Sequence, residues 1–147
     1  MVKKNILIVF LISVSILFLN CYYIFSNYNN ISNEIITHID ITGKADGFGD
    51  KVHLIYAMIA NAVLLGIMFF FIKYPKYANY PIEINDKNRD NAYKKMQLFL
   101  AIISVVTSVV FSYMVFQAIN KSENLIYVIL YSIIIPLLVL FYFKYNE

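Results

Sequence analysis

The side chains best equipped for chemistry in this chain lie close together: His38, Asp40, Asp46, Asp50 and His53, in and just after the stretch THIDITGKADGFGDK at 37–51. Imidazole and carboxylate groups ligate divalent cations and carry protons, so a metal site or an acid–base pair is the first chemistry to test. A calcium loop of the helix–loop–helix kind needs oxygen ligands at alternate positions, glycine at its sixth position and a closing glutamate at its twelfth. Counted from Asp40, the sixth position is Ala45 and the twelfth is Lys51; counted from Asp46, the twelfth is Ala57. The calcium pattern is absent. For zinc, the two histidines stand fifteen apart, and no spacing sets three ligands on one turn. His38, Asp40 and His53 therefore stand only as the alternative reading, a metal-assisted membrane enzyme or small transporter.

The same stretch reads equally as architecture. Gly43, Gly47 and Gly49 permit turns, Asp46-Gly47 favours a tight one, and short acidic side chains bond to nearby amides. An ordered cap over helix ends needs these residue types. His38 and Lys51 are demanded by no turn, so a partner-binding role stays open for them.

What the stretch must sit on follows from composition. Of 147 residues 61% are apolar, 17% aromatic and only 14% charged, with a mean hydropathy of +0.66. The apolar residues fall in long blocks, the pattern of helices that satisfy their backbone hydrogen bonds inside lipid. The expected fold is all-α: an integral membrane bundle of four transmembrane helices in a single domain over 1–147, with spans at about 5–25, 53–72, 96–117 and 125–143 and an ordered extracytoplasmic loop between the first two. The first span has a charged start but no small-x-small cleavage pattern, and reads as a retained anchor. Pro136 would kink the fourth.

Before the third span, Asn85 or Asp86 is expected to cap a helix that carries its charges on the surface and runs on into that span, and the tyrosines of YPKYANYP to anchor at the lipid boundary. The two halves show no convincing repeat, so an inverted-repeat transporter is not suggested. Net charge is +3 with the basic residues scattered, which gives no nucleic-acid footprint. The single cysteine, Cys21, cannot close an internal disulfide.

Lysine and arginine set the orientation. Lys3, Lys4, Lys73, Lys76, Lys87, Arg89, Lys94, Lys95 and Lys144 fall on one side of a four-span topology, against Lys44, Lys51 and Lys121 on the other. The positive-inside rule then puts both termini in the cytoplasm and the 37–51 stretch outside. Within the spans no ionisable residue lies near a centre. Asn61 is the costly polar group there, expected to bond across helices to Ser104, Thr107 or Ser108, whose small hydroxyls share one face. The nucleophile-elbow, zinc-protease, phosphate-loop and dithiol signatures are all missing, so no catalytic residue and no cofactor are assigned.

One resemblance can be named on these residues. His38, Gly43, Asp46, Phe48 and Asp50-Lys51 directly before an apolar span, then Tyr74-Pro75, Asn79-Tyr80-Pro81 and 85–93, resemble a bacterial membrane domain catalogued as domain of unknown function 1648. That domain also stands at the front of sporulation-delaying-protein immunity proteins. The likeness covers about 36–93, with Ile36 where the family has a proline. It implies a multi-pass bacterial membrane protein with a histidine–glycine extracytoplasmic loop; the expectation added here is that this loop, through His38, Gly43, Asp46, Phe48, Asp50 and Lys51, engages a peptide, another membrane protein or the lipid surface at a bacterial cytoplasmic membrane. Together with the missing catalytic signatures, this gives the expectation of a non-catalytic binding or accessory protein, immunity-like or signalling-like.

Overall fold

The computed structural model describes residues 2–40 and 42–123, together with Ile129, Ser132, Ile133, Ile135, Leu137 and Tyr142. Three helices dominate: α1 (Lys4–Asn27), α2 (Val52–Lys73) and α3 (Arg89–Asn120). Each is long and apolar enough to cross a membrane. Neither glycine nor proline interrupts α1 and only Gly66 interrupts α2, so backbone bonding runs unbroken through both. At 1.5 Å per residue α3 spans roughly 48 Å, against roughly 30 Å of bilayer hydrocarbon. Its first turns, from Arg89 to Lys95, therefore extend beyond the apolar layer.

Two expectations need correction. Among the described residues there are three such helices, not four, and the chain is not all-α. The expected fourth span at about 125–143 lies outside the described residues apart from the isolated positions named above. The placement of both termini on one side depends on that crossing. The loop between α1 and α2 is a two-stranded antiparallel sheet, β1 (Glu34–Ile39) and β2 (Ala45–Asp50).

The reason for the sheet lies in both strands. EIITHI is rich in β-branched residues and buries Ile35 and Ile36, which gives β1 an anchor. ADGFGD has poor strand propensity, but its glycines let the partner strand lie close. A Cβ on Gly47 would come within 2.8 Å of His38 Cβ, and one on Gly49 within 2.9 Å of Thr37 Cγ2. The register runs from Glu34 opposite Asp50 to Ile39 opposite Ala45, with irregularities on either side of His38.

The tight turn expected at Asp46-Gly47 sits instead at Asp40–Lys44. There Gly43 takes φ +89, and Asp40 Oδ1 accepts the Thr42 amide at 2.8 Å and the Lys44 amide at 2.9 Å.

The helices form an up-down-up bundle in which α3 packs along both α1 and α2. One apolar cluster, at the sheet end, gathers Ile24, Ile31, Ile35, Leu54, Met58 and Val115. The other, at the far end, gathers Ile6, Phe10, Leu65, Ile72 and Ala101. Ile35 thus seats the sheet directly on the helix ends. Outward, α1 shows Phe18 and Tyr22 and α2 shows Tyr56 and Val63, large apolar side chains left exposed by the bundle. Such a surface matches lipid rather than water.

Candidate functional site: the sheet at the end of the bundle

A lysine ties the junction of sheet and bundle together. Lys51 stands immediately before α2, and its Nζ donates to the carbonyls of Tyr28 at 2.9 Å and Ile31 at 3.2 Å while lying 4.6 Å over the Tyr28 ring. The Tyr28 carbonyl caps the end of α1, where helix C-termini leave unsatisfied acceptors and partial negative charge, and the Ile31 carbonyl lies in the loop beyond it. Asp50 adds a second tie, accepting the Val52 amide at 2.7 Å. The residue that no turn required is a strap between two helix ends.

His38 pairs with Asp46 across the strands through Nδ1, on the exposed surface of the sheet. His53 follows a different logic. Its Nδ1 lies 2.7 Å from the Asp50 carbonyl, its ring is edge-on to Tyr56 at 5.7 Å, and Gly49 faces the same ring.

Asp40 is committed to the turn. The Thr42 hydroxyl, followed by the backbone amides of Lys44, Thr42 and Gly43, holds its carboxyl below the usual carboxylate range. His38, Asp40 and His53 are thus engaged separately, and among the described residues no group of three or more His, Cys, Asp or Glu side chains is placed to hold a metal ion.

Phe48 lies opposite Ile36 in the register and is 54% exposed. It is the large apolar side chain of β2, flanked by two glycines that offer it no neighbour on its own strand. Around it the sheet end carries Glu34, Asp40, Asp46, Asp50 and Glu123, against Lys44, Lys121 and the already engaged Lys51. Glu123 Oε1 accepts the Ala45 amide at 3.1 Å, which brings the end of α3 to the sheet.

A cleft of about 230 Å3 opens between β1 and α3, lined by Ile36, Thr37, His38, Ile39, Met114, Gln117 and Ala118. Met114 and Ala118 were not singled out by the sequence, where they read as ordinary span residues. The apolar, β-branched run EIITHI was the available signal for a strand beside them.

Most intramembrane polar residues of α2 and α3 are buried in the bundle. Gln97 Nε2 donates to the Ile72 carbonyl at 2.7 Å, Ser104 Oγ reaches Met68 Sδ at 3.1 Å, and Leu54 shares a cluster with Val115. This antiparallel register brings Asn61 level with Ser108. Asn61, Ser104 and Ser108 are fully buried and Thr107 nearly so. Ser104 donates to the Leu100 carbonyl at 2.7 Å, whereas among the described residues both amide atoms of Asn61 and the hydroxyl of Ser108 have no hydrogen-bond partner. Between α1 and α3, the Asn20 amide donates to the Ser112 hydroxyl.

At the far end, beyond α2, the Tyr80 hydroxyl donates to the Pro75 carbonyl at 2.8 Å and its ring meets Tyr93 at 5.8 Å. Phe70, Tyr74 and Tyr77 form an aromatic ledge there, with Lys73 and Lys76 over the tyrosine rings.

No family model matches the chain, and no curated protein or solved structure matches it.

Proposed function

We propose that the chain is a non-catalytic multi-pass protein of a bacterial cytoplasmic membrane whose small sheet faces outward and engages a peptide or another membrane protein. The observation that carries this reading is Phe48, a 54% exposed ring on a sheet edged with carboxylates and strapped to two helices by Lys51. A large apolar group held rigidly in polar surroundings is the usual anchor of a binding surface.

Charge supports the orientation. Lys3, Lys4, Lys73, Lys76, Lys87, Arg89, Lys94 and Lys95 gather at the far end against Glu83, Asp86 and Asp90, while the sheet end is acidic. The aromatic ledge beside Lys73 and Lys76 suits the cytoplasmic lipid boundary. The similarity of 36–93 to the domain of unknown function 1648 supports a bacterial source and an immunity-like or signalling-like role. Asp40 and Asp50 each give one carboxylate oxygen to backbone amides, which favours a structural use of these acidic residues over a catalytic one.

The test is a photoreactive amino acid placed at Phe48 in growing cells. A discrete protein adduct is expected there, with only lipid adducts when the probe stands at lipid-facing Tyr56. Lipid adducts alone from position 48 would overturn the reading.

A further inference from the structure

Two lysines at the far end of the bundle are held differently from Lys51. Lys73 is the last residue of α2, and Lys76 lies in the three-residue turn Pro75–Tyr77 that follows. The Lys73 Nζ lies 5.3 Å over the Tyr74 ring and the Lys76 Nζ 4.7 Å over the Tyr77 ring. Lys51 gives its ammonium to the carbonyls of Tyr28 and Ile31. At the end of α2 other groups do this work: Gln97 Nε2 donates to the Ile72 carbonyl at 2.7 Å, and the Tyr74 amide to the Phe70 carbonyl at 2.8 Å. Among the described residues, neither the Lys73 nor the Lys76 ammonium meets a hydrogen-bond acceptor or a carboxylate.

The rings beneath them support one another. Phe70 stacks on Tyr77 at 6.1 Å with the planes 15° apart, and it meets Tyr74 at 5.3 Å. All three rings are exposed. A ring under an ammonium holds the long lysine stem in place without neutralising its charge or using its donors. The ledge thus presents two positioned cations with open N–H groups.

Depth and charge narrow the occupant. The 22 residues of α2 rise roughly 33 Å, so Lys73 stands at the edge of the hydrocarbon layer, where lipid phosphates lie and where exposed tyrosines anchor. Lys3, Lys4, Lys94 and Lys95 stand at the same end, while Asp86 and Asp90 are taken up by Arg89. The surplus attracts an anion. A zwitterionic headgroup would bring a cation of its own to two lysines, and a monoanionic one does not. Phe70, Ile67 and Val63 continue as one exposed apolar row down the same helix, which gives an acyl chain a path from the ledge into the bilayer.

We propose that Lys73 and Lys76, set on the rings of Phe70, Tyr74 and Tyr77, form a seat for one anionic phospholipid. Its phosphate accepts from the two ammoniums in charge-assisted hydrogen bonds, and an acyl chain lies along the row from Phe70 to Val63. Both leaflets carry phosphates at this depth, so the seat stands whichever way the sheet faces.

The experiment is native mass spectrometry of the full chain in a neutral detergent, with phosphatidylglycerol, phosphatidylcholine or inorganic phosphate added. One retained phosphatidylglycerol is expected, with about fivefold less phosphatidylcholine, and inorganic phosphate should not displace it. Lys73→Gln with Lys76→Gln is expected to lower phosphatidylglycerol retention about fivefold, whereas Lys4→Gln with Lys87→Gln, which removes the same charge away from the ledge, leaves it unchanged. On the unsubstituted protein, nanodiscs of phosphatidylglycerol in place of phosphatidylcholine should slow acylation of Lys73 and Lys76 by an amine-reactive ester relative to Lys87. That reading stands even if a substituted chain misfolds. Equal retention of the two lipids, equal loss in the two double variants, displacement by inorganic phosphate, or unslowed acylation of Lys73 and Lys76 would overturn the seat.

Discussion

The ammonium of Lys51 bonds to the carbonyl of Tyr28, 23 residues earlier in the chain, at 2.9 Å, and lies 4.6 Å over the same residue's ring. One side chain thereby offsets the open acceptors at the end of α1, fixes the loop through Ile31 and positions the start of α2.

Lys51→Met is expected to lower stability by about 1–2 kcal/mol, because charge-assisted bonds to helix-end carbonyls are lost from a half-buried site. Lys51→Arg retains part of it. Thermal unfolding in detergent by circular dichroism reads the difference, and equal melting of Lys51→Met and the parent would remove the strap from the account.

The glycines differ in what they tolerate. Gly47→Ala drives a Cβ to 2.8 Å from His38 Cβ, an atom fixed to its backbone, so about 1–3 kcal/mol of destabilisation is expected. Gly43→Ala meets open space but must hold φ +89, at a cost of about 1 kcal/mol. Gly66→Ala meets nothing within 4 Å in the middle of α2 and is expected to be neutral or mildly stabilising. Melting of the three variants in one detergent checks the order.

Among the described residues, neither atom of the buried Asn61 amide is bonded. Asn61→Leu keeps the volume approximately and removes the unmet donors and acceptor, so a rise of about 1–3 kcal/mol is expected. A fall in melting temperature would mean that the amide is bonded in the membrane.

Two ionisations give opposite pH dependence. Asp40 is held below its usual 3.8, so its share of turn stability is complete above that value and is lost as pH falls through the lower folded value. Tyr80 is pushed from 10.0 up to about 12, chiefly by burial and secondarily by Tyr93, so its share is complete below pH 10.0 and is lost as pH rises to about 12. Amide shifts of Thr42 and Lys44 should report the acid step, and Tyr80→Phe should erase the alkaline one in an absorbance titration.

The helices were legible because apolar run length is a local property: about 5–25 and 53–72 in the sequence correspond to Lys4–Asn27 and Val52–Lys73. The third begins earlier than its apolar core at about 96, because the polar turn from Arg89 continues the same helix, with Asn88 rather than Asn85 or Asp86 at its cap. The sheet was not legible. Glycine and aspartate in 45–50 read locally as turns, and only the close approach of Thr37 and His38 from another strand makes those glycines strand residues. His38 and Asp46 were named together as loop residues, but their pairing depends on a register that composition does not encode.

The central claim is that the sheet stands outside the membrane, opposite the basic far end. In a Cys21→Ser background, a membrane-impermeant maleimide applied to intact cells should label Phe48→Cys at once and Lys87→Cys only after the membrane is opened. Labelling of Lys87→Cys in intact cells with Phe48→Cys protected would contradict the account.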